Sequence, residues 1–233
     1  MKILITGGSG TLGRALIALL AKTEHKFDAP SSKLFDITKY DSIAEYSLLT
    51  KFDIVIHCAA YTDVKQAEVN FVKALETNVI GTCNIVKYCS LNNSKLVYIS
   101  TDHVFDGQKG DYSTTDKVNP IAKYAKSKAA GEIAARMYDK SLVIRTSFFT
   151  EKFPYDKAFT DQWISKDYID IIAPKVLKAC LSDKTGIVHC GSPKSSVFDI
   201  AKRRKPCVEP ITRADFSFPT LRDTSLVINS EFD

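Results

Sequence analysis

Short runs of unbroken apolar residues alternate with longer stretches whose apolar positions recur every three or four residues. The runs at 3–5, 27–30, 53–57, 96–99 and 142–145 read as strands, the second being the weakest. Helical spacing follows over 12–22 and 40–50. It continues in a long segment where Val72, Leu75, Val79, Thr82, Val86 and Cys89 fall on one face. A strand with no polar face needs cover on both sides, and strands joined through helices obtain it in a parallel sheet. The pattern therefore predicts an α/β fold, a doubly wound parallel sheet.

Beyond residue 146 the rhythm loosens. The stretch 148–167 is aromatic-rich and irregular, 168–181 reads as a helix carrying Pro174, 186–190 as a strand and 197–204 as a short helix. The remainder, with Pro206, Pro210 and Pro219, reads mostly as loop. The expected division is a nucleotide-binding domain over 1–147, with parts of 168–204 returning to it, and a small C-terminal cap over 148–233 that leaves a cleft between them. The helix from Val72 to Cys89 and the helix after residue 122 offer faces for a homodimer.

A chain of 233 residues suits one large domain with an appendage, and 45% hydrophobic with 25% charged residues is ordinary for a globular protein. The net charge of +5 comes without a dense basic block, so no nucleic-acid partner is expected. No apolar run approaches the roughly 18 residues of a membrane span. The six cysteines show neither paired spacing nor histidine partners, which speaks against a metal site or a disulfide framework. With no signal peptide ahead of the first strand, the expected setting is a reducing cytoplasm.

Gly7, Gly10 and Gly13 stand at the first, fourth and seventh places of a turn between a strand and a helix. Without Cβ atoms there, backbone N–H groups can approach a pyrophosphate at the positive end of the helix. An NAD-selective site usually places an acid at the end of the second strand. Here that place falls near Ser31, and Ser31, Ser32 and Lys33 could receive a 2′-phosphate, so NADP is expected over NAD. Asp36 could meet the adenine edge or cap the next helix. Small residues after the third strand, Cys58, Ala59 and Ala60, would let the backbone approach the cofactor. Asn78 is a polar intruder in an apolar helix, placed to anchor a water or a backbone group.

Ser100 and Thr101 end the fourth main strand at the same rim, where Ser100 is a candidate cofactor contact and the Thr101 hydroxyl can donate to a substrate carbonyl. Tyr124 and Lys128, four apart in a helical run, share one helix face. A neighbouring cation favours phenolate, so the Tyr124 pKa is expected to fall toward neutrality, and Lys128 would also bond the nicotinamide ribose. Asp102, His103 and the aromatics from Phe148 onward could contact substrate.

Taken together, Gly7-x-x-Gly10-x-x-Gly13, Ala59-Ala-Tyr-Thr, Ser100-Thr-Asp-His-Val-Phe-Asp-Gly107, Tyr124-x-x-x-Lys128-x-x-Gly-Glu132 and Arg145-Thr-Ser147 resemble the extended short-chain dehydrogenase/reductases. Within them the chain looks like the dTDP-4-dehydrorhamnose reductase, or RmlD-like, family. Asp161-Gln162 and Asp223-Thr-Ser-Leu match more loosely. The resemblance implies a Rossmann fold, a Thr101/Tyr124/Lys128 triad and an oxidoreductase of the CH–OH/ketone couple. The substrate would be a nucleotide diphospho-sugar, reduced by NAD(P)H at the C4 ketone of a 4-keto-6-deoxy sugar. Cofactor contacts implied by the family are Thr11, Leu12, Asp36, Ile37, Ala59, Ala60, Tyr61, Tyr124 and Lys128; Thr101, Asp102 and Phe148 would face the sugar. The chain departs from the family at Val64-Lys65-Gln66-Ala67-Glu68, at His103 in place of tyrosine, at Phe148 in place of tryptophan, and in a cap shorter by some tens of residues.

Two other functions compete. A non-catalytic NADP-binding regulatory subunit, like the beta subunit of methionine adenosyltransferase, would suit the short cap but not the complete triad. A nucleotide-sugar epimerase, or epimerase-reductase, needs a further acid/base pair, for which Cys83 and His189 are poor candidates.

Overall fold

In the computed structural model, residues 1–48, 50–215 and 223–232 are described; Pro219 and the rest of the presumed loop over 216–222 lie outside them. The apolar runs become β1 (Lys2–Thr6), β2 (Lys26–Asp28), β3 (Ile54–His57), β4 (Lys95–Ser100) and β5 (Ser141–Arg145). Four short strands follow: β6 (Phe148–Phe149), β7 (Lys157–Phe159), β8 (Trp163–Ile164) and β9 (Asp167–Tyr168). Then come β10 (Gly186–His189), β11 (Ser195–Ser196) and β12 (Glu209–Ile211). The central sheet is parallel throughout, in the order β10-β5-β4-β3-β1-β2.

Period-2 alternation divides each strand between two cores. Ile3, Ile5, Val97 and Ile99 enter one, beneath α1 (Thr11–Leu20). Leu4, Val55, Leu96 and Tyr98 enter the other, beneath α2 (Tyr40–Ser47). This is the Rossmann arrangement foreseen from the pattern. The chain leaves β1 for β2 on one side and returns as β3 on the other. The order therefore reverses between β1 and β3, and ligands of open α/β sheets bind in the crevice above such a reversal.

The long helix runs unbroken from Phe71 to Asn92 but contains one π-helical turn. After α3 (Val64–Val69) come α4 (Phe71–Leu75), one π-helical turn (Glu76–Ile80) and α5 (Gly81–Asn92). Val72 and Leu75 are exposed rather than part of a buried stripe; Ala74 and Asn78 point inward. The wider turn brings Asn78 into register with partners on other elements, as π-turns often do near functional sites.

The next elements are α6 (Lys123–Arg136), α7 (Ile169–Leu181) and α8 (Val197–Lys202). Of the returning segment, α7 and β10 join the central unit: Ile172 and Val176 pack in the α1 core, and β10 pairs with β5. Pro174 sits in the second turn of α7 and not the first. By contrast α8 stays outside. Its Val197, Ile200 and Ala201 pack with Phe153, Ala158, Ile164 and Tyr168 in a separate small core. The described tail does not end as free loop. It bonds Ser225 O to Tyr112 N, Leu226 N to Ser165 Oγ and Asn229 Oδ1 to His189 N.

Candidate active site

The glycine turn opens one end of a cavity of about 970 Å³ that runs along the carboxyl ends of the strands. Gly7 has φ of 70°, in the region that favours glycine, and a Cβ there would stand 2.6 Å from Ala59 Cα. A Cβ on Gly13 would collide with the Gly7 carbonyl. Gly10 caps α1 with no side-chain acceptor for the first-turn N–H groups. Those donors, at Thr11, Leu12 and Gly13, face the cavity wall and suit a phosphate at the helix N-terminus. A dinucleotide fits this cradle.

Toward β2 the wall contains Ser31, Ser32, Asp36 and Ile37. Ser31 O closes a turn by accepting from Leu34 N and Phe35 N at 3.0 Å each, but Lys33 is exposed and outside the wall. Burial raises the Asp36 carboxyl. Thr38, which donates from N (3.0 Å) and Oγ1 (2.7 Å), together with Lys39 outweighs that and holds it below its usual range.

After β3, Cys58, Ala59 and Ala60 line the cavity, whereas Tyr61 and Asn78 do not. Asn78 is spent on the protein. Its Oδ1 accepts from Tyr61 N (2.7 Å), and its Nδ2 donates to Tyr61 O (3.0 Å) and Ser127 Oγ (2.8 Å). It thus ties the β3 loop to α6 and is a positioning residue rather than a cofactor ligand. His57, at the end of β3, is a neutral strut between Thr6 and Thr82. Burial and then the Lys128 charge push it down to about 3.

Thr101, Tyr124 and Lys128 all line this cavity. The Thr101 hydroxyl donates to Asp102 Oδ1 at 3.1 Å and accepts from His103 N at 3.2 Å, and it acts to lower the Tyr124 pKa. Glu68 of α3 caps α6 by accepting from Lys123 N at 2.7 Å, which sets the turn that presents Tyr124; the sequence carries no signal for this. Lys128 Nζ donates to Ile99 O at 2.7 Å, leaving further donors for a ribose.

The expected depression of the phenol pKa is not found. Burial, then the Asp102 charge, push Tyr124 up to about 12 against the Thr101 hydrogen bond. Lys128 cannot counter this, because burial brings its own pKa down to about 7 despite Cys58 and Glu132. For both groups the loss of water is the largest cause of the shift. A phenol that stays protonated at neutral pH is a proton donor, which suits reduction better than alcohol oxidation.

Lys128 carries a stability consequence. Its folded pKa lies below its unfolded value, so between about pH 7 and 10 the unfolded chain holds a proton that the folded one lacks. Stability then rises with pH. The Tyr124 contribution has the opposite sign and is lost only between about pH 10 and 12. The melting temperature of the cofactor-free protein, minus that of Lys128→Met, is expected to climb from pH 7 to about 9.5. A flat difference would refute the depressed ammonium.

The wall beyond β4 and β5 contains His103, Thr146, Ser147, Phe148 and Lys166. His103 stands edge-on to Tyr124, ring centroids 6.2 Å apart. Asp102 lies behind this wall. Its carboxylate accepts from Thr101, Ser147 (3.1 Å) and Thr224 (2.9 Å), so it braces the hydroxyls instead of facing substrate. The Thr146 hydroxyl is buried without a partner among the described residues. Ser100 lines the cavity, but its hydroxyl is committed to Glu132 Oε2 at 2.9 Å. Thr146 and Ser147 enter the sequence reading only as part of the Arg145-Thr-Ser147 motif, without a site role, and Lys166 does not enter it. Thr146 and Ser147 had a clue in following a strand end; Lys166 sits in an irregular stretch and had none. Cys83 is exposed and His189 is buried against Arg145 and Val227; neither lines the cavity.

A Rossmann sheet with a glycine cradle at its switch point and a Tyr/Lys pair beside it defines an NAD(P)-dependent oxidoreductase. Residues 1–167 match the family described as the RmlD substrate binding domain. The chain belongs to that family. It is 32% identical over 259 residues to dTDP-4-dehydrorhamnose reductase of Aggregatibacter actinomycetemcomitans, covering 94% of this chain and 87% of that protein. It is 37% identical over 153 residues to the Mycobacterium tuberculosis enzyme of the same name, covering 63% of this chain and 50% of that one, so it spans about half the length of this relative. A crystal structure of the Bacillus anthracis dTDP-4-dehydrorhamnose reductase in complex with NADP superposes with a TM-score of 0.86 at 28% identity, covering 99% of this chain and 91% of that one. The likeness supports NADP or NAD as cofactor.

Proposed function

We propose that this protein reduces the C4 ketone of a nucleotide-linked 4-keto-6-deoxy sugar, an oxidoreductase of the CH–OH/ketone couple. The observation that carries the reading is that Thr101, Tyr124 and Lys128 line the same cavity as the glycine turn. A reduced nicotinamide supplies the hydride when bound. The Thr101 hydroxyl holds the carbonyl oxygen as charge gathers on it, and the Tyr124 phenol protonates it. Lys128, buried and bonded to Ile99 O, is placed to bond the ribose and to stabilise the phenolate left behind. NADPH over NADH is part of the same proposal, supported by the uncharged Ser31 and Ser32 in the wall where an acid would select NAD.

The division into a cofactor unit over 1–147 and a cap over 148–233 is supported by the separate apolar cluster around Tyr168 and Ile200. A reducing cytoplasm suits a chain whose cysteines are expected to form no disulfide framework, and no helix among the described residues is long and apolar enough to cross a membrane. The purified protein is expected to oxidise NADPH when given dTDP-4-keto-6-deoxy sugars, with a lower Kd for NADPH than for NADH. No oxidation with dTDP-, UDP- or GDP-linked keto-sugars would overturn the assignment, and a stoichiometric protein partner in that case would point to the regulatory subunit instead.

A further inference from the structure

Lys166 is the second lysine of the cavity wall, and no step of the hydride chemistry uses it. It precedes β9, whose Asp167 and Tyr168 pair with Phe148 and Phe149 of β6. That pairing holds its side chain beside the carboxyl end of β5. Its Nζ lies 4.2 Å from the centre of the Phe149 ring. Asp102 attracts it across space, and no ion pair joins the two among the described residues. Among the described residues, then, a partly buried ammonium on the cavity wall touches an aromatic ring and has no anion within ion-pair distance.

Such a cation is matched by an anion rather than by a sugar hydroxyl, since a charged acceptor returns more of what desolvation removed. The cofactor cannot provide that anion. Its pyrophosphate belongs on the glycine turn above β1, three strand positions from β5 and roughly 14 Å away at the usual strand spacing. The charge must come from the other molecule in the cavity.

We propose that Lys166 forms the anion subsite for the substrate, taking the diphosphate of a nucleotide diphospho-sugar while Phe148 and Thr101 face the sugar, an inference that rests on the function proposed above. The ammonium fixes the diphosphate end, and the cavity between Lys166 and Tyr124 receives the hexose. Lys166 is therefore a specificity residue: it distinguishes a nucleotide-linked keto-sugar from the free one.

The test uses dTDP as probe and Lys166→Met, which keeps the length and the packing on Phe149. Isothermal titration of the NADP-bound protein is expected to show dTDP binding weakened about tenfold or more in the variant, the effect of removing one charge-assisted bond. Lys166→Arg should restore most of it, thymidine should bind both proteins alike, and the NADPH Kd should stay the same. In turnover the loss should fall on KM for the keto-sugar nucleotide rather than on kcat. Equal dTDP affinity in wild type and Lys166→Met, with the wild type active, would overturn the subsite and leave the reductase standing. Lysine-dependent dTDP binding in a protein that turns over no keto-sugar would leave the subsite standing and remove the reductase.

Discussion

Tyr124→Phe is expected to lower kcat for NADPH-dependent ketone reduction by about a thousandfold, the range lost with a positioned proton donor, while the NADPH Kd changes little. The reasoning is geometric. Tyr124 lines the cavity with Thr101, and its ring edge meets His103, not the glycine cradle where the cofactor phosphates belong. Removing the hydroxyl leaves the ring and its packing in place. Because burial keeps the phenol protonated well past neutrality, the wild-type kcat should show no loss attributable to Tyr124 ionisation between pH 6 and 9. Steady-state kinetics with a fluorescence titration of NADPH decide the matter, and a variant that retains wild-type turnover would take Tyr124 out of the mechanism.

The largest loss of stability is expected from Glu132→Ala. Glu132 and Arg145 form a fully buried ion pair, Oε1 to Nη2 at 2.6 Å and Oε2 to Nε at 3.1 Å. Oε2 also accepts from Ser100, the residue before Thr101. Arg145 stacks on Phe105 and contacts His189 Nε2, which burial and the Arg145 charge hold neutral with a pKa of about 4. Truncating the carboxylate leaves the guanidinium buried and uncompensated, a cost of about 3–5 kcal/mol. That is a large part of the stability of an ordinary domain. Urea melts should show the loss in the midpoint at unchanged slope. Replacing both partners with apolar residues, Glu132→Leu with Arg145→Met, should recover most of it, because it is the unpaired charge that destabilises. If the double variant is no more stable than Glu132→Ala, the pair holds the site by another means.

Much of the cofactor half was legible because its chemistry is local. A glycine turn between a strand and a helix needs no distant residue to be recognised, and Gly7 and Gly13 sit where a Cβ would strike Ala59 and the Gly7 carbonyl. The Tyr124/Lys128 spacing was likewise visible, since four residues return to one helix face. Their protonation was not visible, because it depends on how far each group is removed from water. Asn78 stands out in the sequence as a polar residue fit to anchor a backbone group, but its partners Tyr61 and Ser127 lie 17 and 49 residues away, so which groups it ties cannot be read locally. Lys33 was expected to face the cofactor and faces solvent, and Asp102 was expected to face substrate and instead gathers three hydroxyls.

What the chain determined by itself is the alternation of strand and helix, the two-sided parallel sheet, the glycine turn and the Tyr124/Lys128 spacing on one helix face. Period, turn chemistry and spacing act over a few residues and can be read there. Only the tertiary structure decided which carboxylates and cations face the cavity, that the phenol is held protonated, and that Lys166 is brought from an irregular stretch to the far wall. Those properties arise from burial and from contacts between segments far apart in the chain, and no local pattern encodes the solvent a group loses when distant elements close around it.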